Sequence, residues 1–253
     1  MRLSICATAI AAATLLQRCI AAPLFSSSSL ESTLKARDGN TDEGDFKYFH
    51  EPKQNQHYDI RYFSEVVSDE ERIDTQLHMI RAYLKFFNEL ELDTWIAHGT
   101  LLGWWWNGKS LPWDYDLDAQ VSNATLHHLG QSYNQTKYVY VSADGNVRRQ
   151  YLLDVNPWIR ERVKGKGMNV IDARWIDTRN GLYVDITGLS ETRPDTHPNV
   201  WRCKNEHNYK VTDLYPMRET IFEGVPAKVP YEYDKILVEE YRESALVNTT
   251  FHG

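Results

Sequence analysis

Three aspartates alternate with uncharged residues in the segment DYDLD, where Tyr115 and Leu117 separate Asp114, Asp116 and Asp118. Alternate side chains of a β-strand share a face, so the three carboxylates are predicted to point the same way, about 6.5 Å apart. Two like charges at that spacing repel by about 2.5 kcal/mol at an effective dielectric of about 20. A hard divalent cation with oxygen ligands, Mg²⁺ or Mn²⁺, offsets such repulsion. We therefore predict a metal site at Asp114, Asp116 and Asp118.

The competing interpretation is a solvent-facing edge of acids that are merely hydrated. The run is flanked by Trp104, Trp105, Trp106, Pro112 and Trp113, a setting that favours the metal site over a hydrated edge. A calcium loop also uses alternating acids, but it needs a later glycine and a distal glutamate at fixed offsets. Both are missing from this segment of the sequence.

A phosphate cradle is predicted ahead of the aspartates, at Gly99 and Thr100. They follow a short predicted strand and open a predicted helix, where small residues let backbone N–H groups approach a phosphate. Lys109 is either a ligand for a donor phosphate or an exposed surface lysine. This order, a cradle followed by a metal strand, is the layout of nucleotidyltransferases.

A further carboxylate is expected on a neighbouring strand. Asp185 lies between Val184 and Ile186, so its side chain faces opposite to theirs. It is either a third catalytic acid with Asp116 and Asp118 or a hydrated strand residue.

Other residue types near these segments leave two interpretations open. His98 is a general base or a structural histidine, and the tryptophans at 104–106 stack on a base or a sugar or pack in the core. Arg174 and Arg179 clamp a phosphate or form salt bridges with neighbouring aspartates.

The elements that position these residues follow from periodicity. Apolar residues at helical spacing predict a helix over 71–90, with Ser68 and Glu71 as a capping box. Asp144 and Gly145 are typical of a hairpin turn between two strands. The remaining predicted elements are strands at 95–97, 115–121, 138–142, 147–153, 169–176 and 182–186, and helices at 101–106, 125–133 and 231–243. The order predicts an α+β fold, a mixed sheet with helices on one side.

Composition bounds the class of protein. The chain has 253 residues, 42% of them hydrophobic and 12% aromatic, and its net charge is −7. A sizeable core can form, and an acidic chain is not expected to bind nucleic acid. A nucleotide ligand is still compatible with that charge, because metal ions offset carboxylates locally.

The amino terminus is typical of a secreted protein. We predict a signal peptide at 1–21, a flexible linker or pro-segment at 22–45 and a catalytic domain at 46–253. Signal cleavage leaves Cys203 as the one cysteine, which excludes a cysteine-based metal site, and leaves no transmembrane span. Acceptor triplets for N-linked glycan occur at Asn123, Asn134 and Asn248. The Golgi lumen or the cell exterior is the expected location.

The segment HGTLLGWWWNGKSLPWDYDLDAQV resembles the signature of the LicD, fukutin and fukutin-related protein family. The resemblance runs from Tyr48 to Tyr241, and HYDIRYF, YLLDVNP, NVIDARWID, GLYVDITGL and FEGVPAKVP resemble a fungal branch tied to mannosylphosphate addition on cell-wall glycans. It implies a polymerase-β-like nucleotidyltransferase core. The family's metal acids fall on Asp116 and Asp118, with Asp114 beside them, and its phosphate-side turn matches Gly99 and Thr100.

The resemblance also implies an activity. Better understood members transfer phosphocholine or ribitol phosphate from a CDP-linked donor, and for this branch GDP-mannose is the expected donor and a glycan or glycoprotein the acceptor. Asp185 or Asp114 would then take the acceptor proton. Some members carry a cysteine-rich zinc site, which this chain lacks the cysteines to form. The competing hypothesis is a non-catalytic, secreted glycan-binding or regulatory module that retains the fold.

Overall fold

The computed structural model describes residues 47–53, 56–164 and 169–247. The expected signal peptide, the expected linker and Asn248 lie outside the described residues. In the described ranges, no helix is both long enough and apolar enough to cross a membrane.

Helix α1 (Asp69–Glu89) confirms the predicted first helix. The Oγ of Ser68 accepts a hydrogen bond from the backbone N–H of Glu71 at 3.2 Å and so caps the helix. Ile80, Leu84 and Phe87 are buried as the periodicity predicts, whereas Ile73 is exposed and does not belong to the core face.

An eight-stranded mixed sheet forms the centre of the domain. Its strands are β1 (Trp95–Ile96), β2 (Leu117–Ser122), β3 (Thr136–Val141), β4 (Arg148–Val155), β5 (Ala173–Asp177), β6 (Tyr183–Glu191), β7 (Val200–Arg202) and β8 (Asn208–Lys210). The main order is β1-β2-β6-β5-β4-β3, with β7 beside the end of β6 and β8 beside β7. Strands β2 and β6 pair in parallel, and the other neighbours pair antiparallel. The α+β prediction with a mixed sheet is confirmed.

The remaining elements surround this sheet. Helix α2 follows β1, a π-helical turn at Leu129–Tyr133 extends α3, and β9 and β10 form a separate hairpin. Their bounds are α2 (His98–Asn107), α3 (Asn123–His128), α4 (Val211–Leu214), β9 (Arg218–Phe222), β10 (Val225–Val229), α5 (Tyr233–Tyr241) and α6 (Ser244–Val247).

The two faces of the sheet differ in chemistry because side chains alternate along each strand. Leu117, Val184 and Trp175 lie in register on the apolar face, which joins the core with α1. Asp118 and Asp185 lie on the opposite face. Helices α1, α2 and α3 contact strands of this sheet, which confirms the mixed sheet with flanking helices. Helix α5 contacts α2, where Glu240 bonds His98.

Several elements differ from the sequence-based expectation, and β7, β8 and α4 were not predicted. Strand β2 begins at Leu117 and not near Tyr115, so two of the three aspartates precede it. Helix α2 begins at His98, earlier than predicted. The β9–β10 hairpin was not predicted, although Gly224 takes φ 78° at its turn, a conformation that favours glycine.

Candidate active site

A row of charged side chains crosses the polar face of the sheet. Asp154 of β4 is in register with Arg174 of β5, Arg174 with Asp185 of β6, and Asp185 with Asp118 of β2. The Nε of Arg174 donates to Asp185 Oδ1 at 2.9 Å, and its Nη2 donates to Glu51 at 2.6 Å. Arg174 therefore compensates the charge of Asp185.

Asp118 ends this row, and in the part of the chain that the structure describes it forms no ion pair. Burial raises the pKa of Asp118 to about 8, with the charge of His98 opposing the shift and that of Asp185 adding to it. A carboxylate at this place has a like charge beside it and needs a cation to hold the ionised form.

The three aspartates of the DYDLD segment line one cavity of about 510 Å³ at the start of β2. Asp114 and Asp116 lie in the extended loop that precedes the strand, yet they reach the same space as Asp118. The other lining residues are Gly99, Leu102, Trp106, Leu111, Trp113, Tyr241, Ser244 and Ala245. The sequence-predicted acids thus share a cavity even though they do not share a strand.

Each carboxylate in this group has a different environment. Burial raises the pKa of Asp114. Asp116 is exposed and bonds the Nδ1 of His57, and this bond raises the pKa of His57. Asp185 lies beside Asp118 but does not line the cavity, because Arg174 holds it. Binding one cation between Asp116 and Asp118 would require Asp116 to turn from His57.

Gly99 and Thr100 of the predicted phosphate cradle also have local structural contacts, and phosphate binding there stays a prediction. A Cβ on Gly99 would overlap Oδ2 of Asp114, so a glycine here makes room for that carboxylate. The hydroxyl of Thr100 is buried and accepts the backbone N–H of Asp118 at 2.8 Å. Lys109 is exposed and lies outside the residues that line the cavity. Gly99 therefore lies next to Asp114, Thr100 bonds the backbone at the start of β2, and Lys109 does not line the cavity.

Arg72 positions the aspartate loop, and the sequence reasoning missed it. Its Nη1 donates to the carbonyl of Asp114 at 2.6 Å and its Nη2 to the carbonyl of Pro112 at 2.8 Å. The guanidinium also lies 4.4 Å from the ring centre of Tyr115. Arg72 is buried on α1, and a charged residue inside the buried stripe of an amphipathic helix was the signal available in the sequence.

The tryptophan run divides between packing and the cavity. Trp104 packs edge-on against Tyr233, with ring centres 5.0 Å apart, and donates to Thr220. Trp106 lines the cavity, where its ring meets Trp113 edge-on. Trp104 therefore has the packing role, whereas stacking of a base or a sugar on Trp106 stays a prediction.

The contacts of Arg179 and Cys203 give both residues a structural role. Arg179 forms a salt bridge with Asp177 at 3.0 Å, which is the neighbouring-aspartate pairing that the sequence left open for it. Cys203 is a buried free thiol.

A family model for the nucleotidyltransferase domain of LicD/FKTN/FKRP matches residues 91–232. This chain belongs to that family. The match includes the aspartate loop, β2 and β6, and it contains every residue that lines the cavity except Tyr241, Ser244 and Ala245.

Two proteins of Saccharomyces cerevisiae are similar to this LicD-family chain. Mannosyltransferase regulator 4 is 40% identical over 139 residues, and Mannosyltransferase regulator 14 is 41% identical over 138 residues. The matches cover 54% and 53% of this chain but 12% and 14% of the relatives. The chain therefore matches only a small part of the length of these two proteins.

Gly99→Ala should weaken Mn²⁺ binding by about tenfold or more, because the added methyl group displaces the Asp114 carboxylate from the cavity. Isothermal titration calorimetry measures the affinity, and circular dichroism checks that the fold is retained. Asp114→Asn is the matched control: the losses from the two changes should not add in the double variant. Parent-like Mn²⁺ affinity in Gly99→Ala would contradict a metal role for Asp114.

Asp118→Asn should stabilise the metal-free protein increasingly as pH rises. The folded pKa of about 8 lies above the ordinary aspartate value of 3.8, so between these values the folded state holds a proton that the unfolded state has released, and stability falls as pH rises. Asparagine does not titrate. The free energy of unfolding of Asp118→Asn should therefore exceed that of the parent by an amount that grows by up to about 1.4 kcal/mol per pH unit. Urea unfolding in EDTA, from about pH 5 to pH 8, measures it. The exposed Asp195→Asn should show no such trend, and a pH-independent difference for Asp118→Asn would contradict the raised pKa.

Proposed function

We propose that this chain is a metal-dependent transferase that moves mannose phosphate from a nucleotide-activated donor to a glycan, in glycoprotein or cell-wall biosynthesis. The observation that carries the proposal is the shared cavity of Asp114, Asp116 and Asp118, in which Asp118 lies beside Asp185 and forms no ion pair with any described residue. Membership of a nucleotidyltransferase family supports it, and so do the names of the yeast relatives, which refer to mannosyltransferases.

The donor set fits a hard divalent cation, Mg²⁺ or Mn²⁺. Its members are carboxylate oxygens, which such ions prefer. Asp116 and Asp118 would hold the ion, with Asp114 beside them. A cation bound there supplies charge neutralisation for the donor diphosphate and for the leaving group.

The reaction is a displacement at phosphorus. With GDP-mannose as donor, an acceptor hydroxyl oxygen attacks the phosphorus that bears mannose, and the phosphoanhydride bond breaks. GMP leaves with the electron pair of that bond, and the hydroxyl proton passes to a carboxylate. Asp114 lines the cavity and has a raised pKa, whereas Asp185 is held by Arg174, so Asp114 is the better placed acceptor of the two.

The apolar wall of the same cavity suits a sugar or base ring. Trp106 and Trp113 provide aromatic faces within the space that the aspartates line. Rings stack on such faces, while the carboxylates and a bound cation hold the polar end of the ligand.

The second candidate is a non-catalytic glycan-binding or regulatory module. The observation that favours it is that both yeast relatives are named as regulators of mannosyltransferases. The ties of Asp116 to His57 and of Asp185 to Arg174 are also compatible with a site that has lost turnover.

A secretory location accompanies either candidate. We propose that the chain follows the secretory pathway, in the Golgi lumen or outside the cell, and that Asn134 carries N-linked glycan. Asn134 is exposed and starts one of the acceptor triplets.

The transferase proposal predicts a phosphodiester product. The purified chain, GDP-mannose, Mn²⁺ and a mannose oligosaccharide should give an acceptor that has gained mannose phosphate by mass spectrometry, together with free GMP. Asp118→Asn should remove the Mn²⁺-dependent activity, and Asp114→Asn should lower turnover by about a hundredfold or more. The exposed Asp195→Asn should keep parent activity.

The two candidates separate in the same assay. Saturable oligosaccharide binding with no product from GDP-, CDP- or UDP-linked donors would contradict the transferase and support the regulatory module. Product formation that Asp118→Asn leaves unchanged would place the active site elsewhere.

A further inference from the structure

A second group of ligand-type side chains lies beside the aspartate cavity. His98, His207 and Glu240 each offer one ligand atom, and these atoms all lie within 4.8 Å of one another. They come from the start of α2, the turn between β7 and β8, and α5. Three remote parts of the chain therefore converge on one point.

The contacts within this group are short and specific. The Nδ1 of His98 lies 2.9 Å from Oε2 of Glu240, and the rings of His98 and His207 have centres 4.5 Å apart. An ion pair between one histidine and one glutamate would account for His98 and Glu240. Such an ion pair does not account for the imidazole of His207. With His207 included, the three residues offer two nitrogen ligands and one oxygen ligand.

Outer contacts hold each of the three residues in place. The hydroxyl of Tyr209 donates to Oε1 of Glu240 at 2.8 Å and leaves Oε2 for His98. The Nε2 of His98 lies 3.4 Å from the amide nitrogen of Gln120, which is longer than a strong hydrogen bond. The contact at Nε2 is therefore weak.

The turn that carries His207 is anchored beneath the surface. Lys204, next to Cys203, is fully buried and pairs with the buried Asp172 at 3.0 Å. The Nδ1 of His207 contacts the thiol of Cys203 at 3.4 Å. His98 itself takes φ 51°, an uncommon conformation for a side chain of this size, which other contacts must stabilise. The group is preorganised from both sides.

We propose that His98, His207 and Glu240 form a zinc-binding centre of the three-ligand type. Two histidines and one glutamate are a donor set that zinc adopts in sites with an open fourth position. Such nitrogen-rich sets suit zinc, whereas all-carboxylate sets suit magnesium or manganese. The centre is thus distinct in chemistry from the aspartate site proposed above.

The open position would face a second cavity, of about 540 Å³, that the three ligands line together with Asp118, Thr187 and Tyr241. Asp118 and Tyr241 also line the aspartate cavity. A zinc ion here places a positive charge next to the acidic group, where it can bind an anionic part of the same ligand.

The test is zinc content and affinity in the full chain, prepared without a histidine tag. After dialysis against chelator and reloading, the parent should retain roughly one zinc ion per chain by elemental mass spectrometry. Competition with a chromophoric chelator gives the affinity, and Co²⁺ substitution should give the visible absorption bands of a four-coordinate site. His207→Ala and Glu240→Gln should each weaken binding by about tenfold or more.

Matched variants separate this centre from the aspartate site. The exposed His197→Ala and the aspartate variant Asp116→Asn, whose site lies outside the cavity that the zinc ligands line, should retain zinc as the parent does. A parent chain that retains no zinc overturns the proposal without any variant. Equal retention by folded His207→Ala and Glu240→Gln, checked by circular dichroism, also overturns it. Loss of zinc in the aspartate variant would assign the ion to the aspartates instead.

Discussion

The carboxylate of Asp118, which forms no ion pair among the described residues, is the constraint on which the site depends. The row Asp154, Arg174, Asp185 and Asp118 runs across four strands. Arg174 pairs with Asp185, and Arg61 pairs with Asp154. Asp118, at the end, has a like charge as its neighbour on the parallel strand, roughly 4.8 Å away across the pair. The protein holds it in a largely protonated state near neutral pH or recruits a cation, and a cation requires space in the fold at this point. The aspartate cavity is that space.

The surrounding elements hold the loop that completes the site. Arg72 and Gln76 of α1 both bond the carbonyl of Asp114, so the helix that covers the apolar face also fixes the loop at the edge of the polar face. Thr100 bonds the backbone of Asp118 from the other side. The position of the aspartate loop therefore depends on the packing of α1 in the core. A change that shifts α1 is expected to disturb the cavity even though α1 contributes no residue to its lining.

Local patterns in the sequence predicted the elements well, because helix capping at Ser68, the glycine turns and the period-2 strands depend on near neighbours. The alternation of Asp114, Asp116 and Asp118 predicted a common direction, and the family resemblance added their chemistry. Contacts between remote segments were not predictable in this way. The bonds from His57 to Asp116 and from Arg72 to the loop join residues about 40 to 60 positions apart, and His98 meets Glu240 across 142 positions. Gly99 illustrates the difference: its place before a helix suggested a phosphate, whereas its neighbour in space is a carboxylate.

The most direct test of the central claim is the position of a bound manganese ion, read from anomalous diffraction of crystals soaked in Mn²⁺. We expect a peak in the aspartate cavity at coordination distances of roughly 2.0–2.6 Å from carboxylate oxygens of Asp116 and Asp118, with Asp116 turned away from His57. Ordered aspartates with no peak between them at saturating Mn²⁺, or a peak confined to His98, His207 and Glu240, would contradict it.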